Sequence, residues 1–97
     1  MRLRISSDTI IVRDESAATV DLDGNAVVLS LQVGSYFAFN EVGTNIWHML
    51  VRPHRVREIF DELLLRHEVD ETTLAADVSS FLEQLAKDGL VQIVDNR

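Results

Sequence analysis

The apolar residues of this chain change their spacing at Asn40, and that change limits the fold to a sheet followed by helices that pack on it. Up to Asn40 they alternate. From Ala26 to Leu31, Val27, Leu29 and Leu31 share one face of an extended chain, and Val28 and Ser30 the other. Gln32-Val33-Gly34 turns the chain back. Ser35 to Phe39 then returns, with Phe37 and Phe39 on one face and Tyr36 and Ala38 on the other. Period-2 alternation marks a strand whose two faces meet different surroundings. Beyond Asn40 the apolar positions recur every three or four residues. Val42, Ile46, Met49 and Leu50 form one stripe. Val56, Ile59, Phe60, Leu63 and Leu64 form a second, and Leu74, Val78, Phe81, Leu82 and Leu85 a third. Each is the apolar stripe of an amphipathic helix.

Local chemistry supplies the boundaries. Asn40 is positioned to cap the first helix, with Glu41 in the favourable first turn. Pro53, the single proline, marks the break before the second helix. His67 to Asp70 connects the second helix to the third. Asp70 caps the third, and Gly89 ends it where a left-handed residue is wanted. Leu90 to Val94 is a last short extended run. On the N-terminal side, Thr9 to Val12 reads as a strand, and Asp23-Gly24 is a tight-turn dipeptide. Glu15 to Leu22 stays open between a loop and a strand over Thr19 to Leu22. The expectation is one domain over residues 1–97, of the α+β class. It would be winged helix-turn-helix-like, with an N-terminal three-stranded antiparallel sheet followed by three helices.

Composition narrows the functions. A net charge of −7 opposes general affinity for nucleic acid or an anionic membrane, since each needs a positive field. Arg52, His54, Arg55 and Arg57 form a basic patch, but Glu58, Asp61 and Glu62 follow at once, as on a solvated helix face. No apolar run is long enough to cross a bilayer, and Met1 to Arg4 leads into Ser6-Ser7-Asp8 without a signal-like segment. With no cysteine, disulfide and thiolate chemistry are out of reach, and a cytoplasmic location is expected.

No catalytic constellation is visible. His48, His54 and His67 have no second histidine at ligand spacing, and no phosphate loop or nucleophile elbow occurs. The expectation is therefore a protein without catalytic residues, metal or cofactor. Two features are unexplained. Gly43 lies three residues into a helix, where glycine costs roughly 0.5–1 kcal/mol against alanine. Tyr36, Phe37 and Phe39 concentrate half the chain's six aromatics on one short strand.

The ordered set V-V-L-S-L-Q-V-G-S-Y-F-A-F-N-E-V-G-T-N-I-W-H-M-L resembles the signature of PqqD-like proteins. That signature has an apolar strand, Gly-x-Tyr-Phe, an Asn at the strand end, a Gly, then Ile-Trp and Leu. Asp77-Val78, Phe81-Leu82, Leu85 and Gly89-Leu90-Val91 resemble its ending, so the likeness runs from Ala26 to Val91. Such proteins are recognition elements for ribosomally made, post-translationally modified peptides (RiPP recognition elements). The Gly34-x-Tyr36 turn and the Ile46-Trp47 pair resemble the free-standing type of lasso-peptide biosynthesis.

The resemblance implies a mode of action. The precursor's leader peptide would add as a strand to the edge formed by Ser35, Tyr36, Phe37, Ala38 and Phe39. It would also pack on the third helix at Asp77, Val78, Phe81, Gln84 and Leu85. The chain would hand the leader to a separate cysteine-protease subunit, with an ATP-dependent cyclase as a further partner. Phe37 and Phe39 are expected chiefly in the core, with Tyr36 and Ala38 on the other face. Proline at Phe37 or at Ala38 is expected to abolish binding by removing an edge N–H. The alternative is a winged-helix DNA-binding regulator. It would need a basic recognition helix, whereas Glu71, Asp77, Glu83 and Asp88 face only Lys87 on the third helix.

Overall fold

The computed structural model describes residues 5–94. The elements in chain order are β1 (Ile10–Arg13), β2 (Ala17–Leu22), β3 (Asn25–Ser30), β4 (Tyr36–Ala38), α1 (Glu41–Met49), β5 (His54–Arg55), α2 (Val56–Arg66), α3 (Glu71–Lys87) and β6 (Val91–Val94). The α+β class and the three helices are as expected, and so are their caps. Asn40 Oδ1 accepts from the Gly43 N–H at 2.9 Å, and Asp70 Oδ2 from the Thr73 N–H at 3.0 Å. Among the described residues no helix is long and apolar enough to cross a membrane.

The strands are shared between two antiparallel three-stranded sheets, ordered β2-β3-β4 and β5-β1-β6. The sheet that leads into the helices therefore begins at Ala17, within the segment whose sequence left the choice open. The Ile10–Arg13 strand belongs to the other sheet. There it pairs with β6 over Ile10↔Val94 to Arg13↔Val91 and with β5 at Ile10↔Arg55 and Ile11↔His54. The β5 strand was not expected, because two residues are too few to show a period. The β2–β3 hairpin closes through Asp23 and Gly24, both at positive φ (54° and 87°), as a turn matched to strand twist requires.

Alternation in β3 left open which of its faces would be inside. Ala26, Val28 and Ser30 are buried, and Val27 and Leu29 are half-buried on the opposite face. The smaller residues lie inside because a helix must approach them. Buried Thr44 of α1 accepts a hydrogen bond from the Ala26 N–H at 2.9 Å, fastening α1 to the strand. Above it Trp47 is fully buried, and its indole N–H donates to Thr19 Oγ1 of β2 at 2.8 Å. Ile59 and Leu63 of α2, Leu74, Val78, Leu82 and Leu85 of α3, and Ile11 of β1 complete one continuous core.

Just past β1, Asp14 ties the turn that leads into β2 to strand β6. Its Oδ1 accepts from Ser16 Oγ at 2.6 Å and the Ser16 N–H at 2.8 Å, and its Oδ2 accepts from Gln92 Nε2 at 2.8 Å. These bonds, the Ser16 hydroxyl first, hold the Asp14 carboxyl below the usual carboxylate range.

Two outcomes are expected. Thr19→Val leaves the buried indole N–H without an acceptor and lowers stability by about 1–3 kcal/mol in urea denaturation, with an unchanged denaturant slope. The folded-state pKa of Asp14 is depressed, so its contribution is complete above the unfolded value of about 3.9 and disappears as pH falls through the folded value. Asp14→Asn should therefore flatten the loss of melting temperature with acidification below about pH 4.

Candidate binding site

Among the described residues strand β4 has a neighbour on one side only, β3, in the register Val27↔Ala38, Val28↔Phe37 and Leu29↔Tyr36. The hydrogen bonds that flank the strand fix its orientation. The Phe39 N–H donates to the Ala26 carbonyl at 2.9 Å, and the Ser35 carbonyl accepts from the Ser30 N–H at 2.8 Å. Backbone groups alternate in an antiparallel ladder. Ser35, Phe37 and Phe39 therefore turn theirs toward β3. Tyr36 and Ala38 turn their N–H and C=O groups to the open edge. An unpaired edge of this kind is a template for a further strand.

Side chains alternate in the other direction. Tyr36 is 75% exposed and Ala38 is exposed, whereas Phe39 is buried and Phe37 half-buried against the core. Phe39 meets Trp47 edge-to-face at 5.8 Å between ring centroids and Phe81 of α3 at 5.1 Å. Such pairs add about 0.5–1.5 kcal/mol each beyond the area they bury. They also fix the end of β4 against α3.

Gly43 belongs to this contact. A Cβ there would stand 3.2 Å from both Phe39 Cβ and Phe81 Cζ, and 3.4 Å from the capping Asn40 Oδ1. Any side chain would push against the junction of strand and helix, which accounts for glycine inside a helix.

Where β4 ends, an open cavity of about 440 Å³ begins between α1 and α3. Val42, Gly43, Ile46, Val69, Leu74, Val78 and Phe81 supply its apolar lining, and Asn40, Thr73, Asp77, Ser80 and Gln84 its polar groups. Of the α3 residues expected at the site, Asp77, Val78, Phe81 and Gln84 line this cavity. Leu85 does not; it is buried in the core. It shares a helix face with Val78 and Phe81, seven and four residues before it, but lies one turn past Phe81, where the apolar lining of the cavity ends. Val42, Ile46 and Val69 were not singled out from sequence, although Val42 and Ile46 stand in the first helical stripe. Only the approach of α1 to α3 turns them toward a common space.

The strand geometry also separates the two proline positions that sequence treated alike. The N–H of Phe37 faces β3, and that of Ala38 faces the open edge.

The family model of coenzyme PQQ synthesis protein D (PqqD) matches residues 25–91. No curated protein matches the chain. Among solved structures, the chain is similar to TbiB1 in complex with the TbiA(beta) leader peptide. The identity is 30% and the TM-score 0.77, over 88% of this chain and 99% of that one. It is also similar in fold to a lasso peptide synthetase B1 complexed with the leader peptide, at 20% identity and a TM-score of 0.72. That match covers 84% of this chain and 96% of the other.

Phe37→Pro should lower stability by about 1–3 kcal/mol, because it strips a ladder bond and leaves a β3 carbonyl unpaired. Ala38→Pro should stay within about 1 kcal/mol of wild type. Thermal melts followed by circular dichroism measure both. The opposite ranking would mean that β4 faces the other way.

Proposed function

The chain belongs to the PqqD family, and on that premise we propose that it binds the leader segment of a ribosomally synthesised precursor peptide. The leader adds as a strand to the β4 edge and packs against α3. The chain then delivers it to a separate leader protease and performs no catalysis itself. The observation that carries this reading is the open β4 edge, with Tyr36 and Ala38 facing outward, ending at an apolar cavity. The likeness to TbiB1, solved with a leader peptide, supports it.

The energetics require both parts of the site. Two residues offer four outward backbone groups, one N–H and one C=O each. At a net ~1 kcal/mol per bond, these are outweighed by the loss of translational and conformational freedom on association. A micromolar complex needs about −8 kcal/mol. An apolar side chain buried in the cavity adds roughly 1.5–3 kcal/mol, and a second against Phe81 a similar amount. Backbone pairing thus sets register, and the cavity supplies affinity and selectivity.

The test is fluorescence anisotropy with labelled N-terminal segments of the short open reading frames next to this chain's gene, and a labelled DNA duplex as control. Saturable binding of the leader at micromolar or lower concentration is expected, with none of the duplex. Ala38→Pro should weaken leader binding at least about tenfold while the protein stays folded. A folded Ala38→Pro variant that binds as wild type would rule out strand addition at this edge.

A further inference from the structure

Asp77 is the single ionisable side chain among the residues that line the α1–α3 cavity. Three of the other polar groups there are engaged within the chain. Asn40 Oδ1 accepts the capping bond from the Gly43 N–H. Thr73 Oγ1 donates to Asp70 Oδ2 at 3.2 Å, and Gln84 Nε2 donates to Asp88 Oδ2 at 3.0 Å. The Asp77 carboxylate takes part in none of the ion pairs formed among the described residues.

The helix does not compensate this charge. Asp77 lies beyond the first turn of α3, outside the reach of the positive helix N-terminus. The one basic residue of α3 is Lys87, ten positions and about 15 Å further along the axis. Glu71 and Glu83 share the helix, and the whole chain carries −7. The mouth of an apolar cavity thus presents, beside Leu74, Val78 and Phe81, a negative charge that no ion pair among the described residues compensates.

We propose that the peptide segment seated here carries an apolar anchor with a lysine or arginine two residues away, the cation meeting Asp77 at the rim. The proposal rests on the leader-binding reading above and specifies which leaders it admits. The spacing follows from strand geometry. Side chains on one face of an added strand recur every second residue, about 6.5–7 Å apart. Asp77 and Phe81 stand one helical turn apart, with Cβ atoms about 5–6 Å from each other. One side chain of the pair enters the cavity beside Phe81 while the next on that face reaches Asp77. An acidic residue at the second position would meet both Asp77 and the field of the whole chain. Charge at the rim therefore selects among peptides that fill the cavity equally well.

The test is a charge exchange, with the labelled leader that the wild-type protein binds in the anisotropy titration above. Asp77→Asn should weaken binding by about three- to tenfold and reduce its dependence on salt. Leader peptides are then made with each Lys or Arg replaced by Glu. One replacement should weaken binding to the wild-type protein yet regain most of the lost affinity with Asp77→Lys. A carboxylate that only accepted a backbone N–H would respond to Asp77→Asn without any such exchange, and that outcome overturns the proposal. So does a bound leader without Lys or Arg in the protected segment, or an Asp77→Asn protein that binds within twofold of wild type. In each of these the leader still binds and is lost with Ala38→Pro, so leader binding itself survives. A wild-type protein that binds no leader overturns that reading and the pairing with it.

Discussion

The buried indole of Trp47 is an anchor shared by parts of the chain that lie far apart in sequence. Its N–H donates to Thr19 of β2, in the sheet that carries β4. Its ring lies under the Arg13 guanidinium of β1 at 5.1 Å, in the other sheet, and Arg13 Nη1 also donates to the Trp47 carbonyl at 3.4 Å. Burial pushes the Arg13 pKa down, and the nearby Asp21 opposes that. One side chain on α1 thus ties both sheets to the helical layer. A smaller residue would leave a void and a polar Thr19 side chain with nothing to meet, and the core has no spare atoms to fill it.

The open β4 edge depends on that anchor through Phe39. Trp47 positions the Phe39 ring from one side and Phe81 receives it on the other. The end of β4 is thereby set against α3, with Gly43 giving the close approach its room. A strand of three residues would be a poor template alone. Here it is held by the β3 ladder, by the Phe39 contacts and by the Asn40 cap that starts α1 on the next residue. For the proposed leader binding this rigidity matters, because every rotamer or backbone angle ordered only on binding would subtract from a small binding free energy. The strand and the start of α1, which lines one side of the cavity, are consecutive in the chain, and Phe39 fixes both against α3 on the other side. The backbone edge and the apolar cavity therefore keep a fixed relation to each other.

Much of this was legible in the residues. The period change at Asn40, the caps at Asn40 and Asp70, and the left-handed Gly89 at φ 75° located three helices without reference to tertiary contacts. The alternation of Ser35 to Phe39 indicated which side chains would be exposed, and Tyr36 and Phe39 fall as it implied. Partition of the strands was not legible. Ile10 to Arg13 pairs with residues 54–55 and 91–94, more than 40 positions away, and nothing in four β-branched and basic residues names such distant partners. The α3 stripe was read correctly as apolar, but its division between core and cavity was not. Leu85 and Phe81 share one apolar helix face, and what separates them is how far along α3 the cavity extends.

The sequence by itself determined where the three helices start and stop, because caps and hydrophobic period act over a few residues. It also determined that β4 has two unlike faces, since alternation is a property of one strand. Only the tertiary structure decided that β4 stands at an edge, that the N–H of Ala38 rather than that of Phe37 is free, and that α1 and α3 leave a cavity between them. Those are relations between segments far apart in the chain. They are settled by which packing buries Trp47, Phe39 and the three helical stripes at once, and no local pattern encodes that choice.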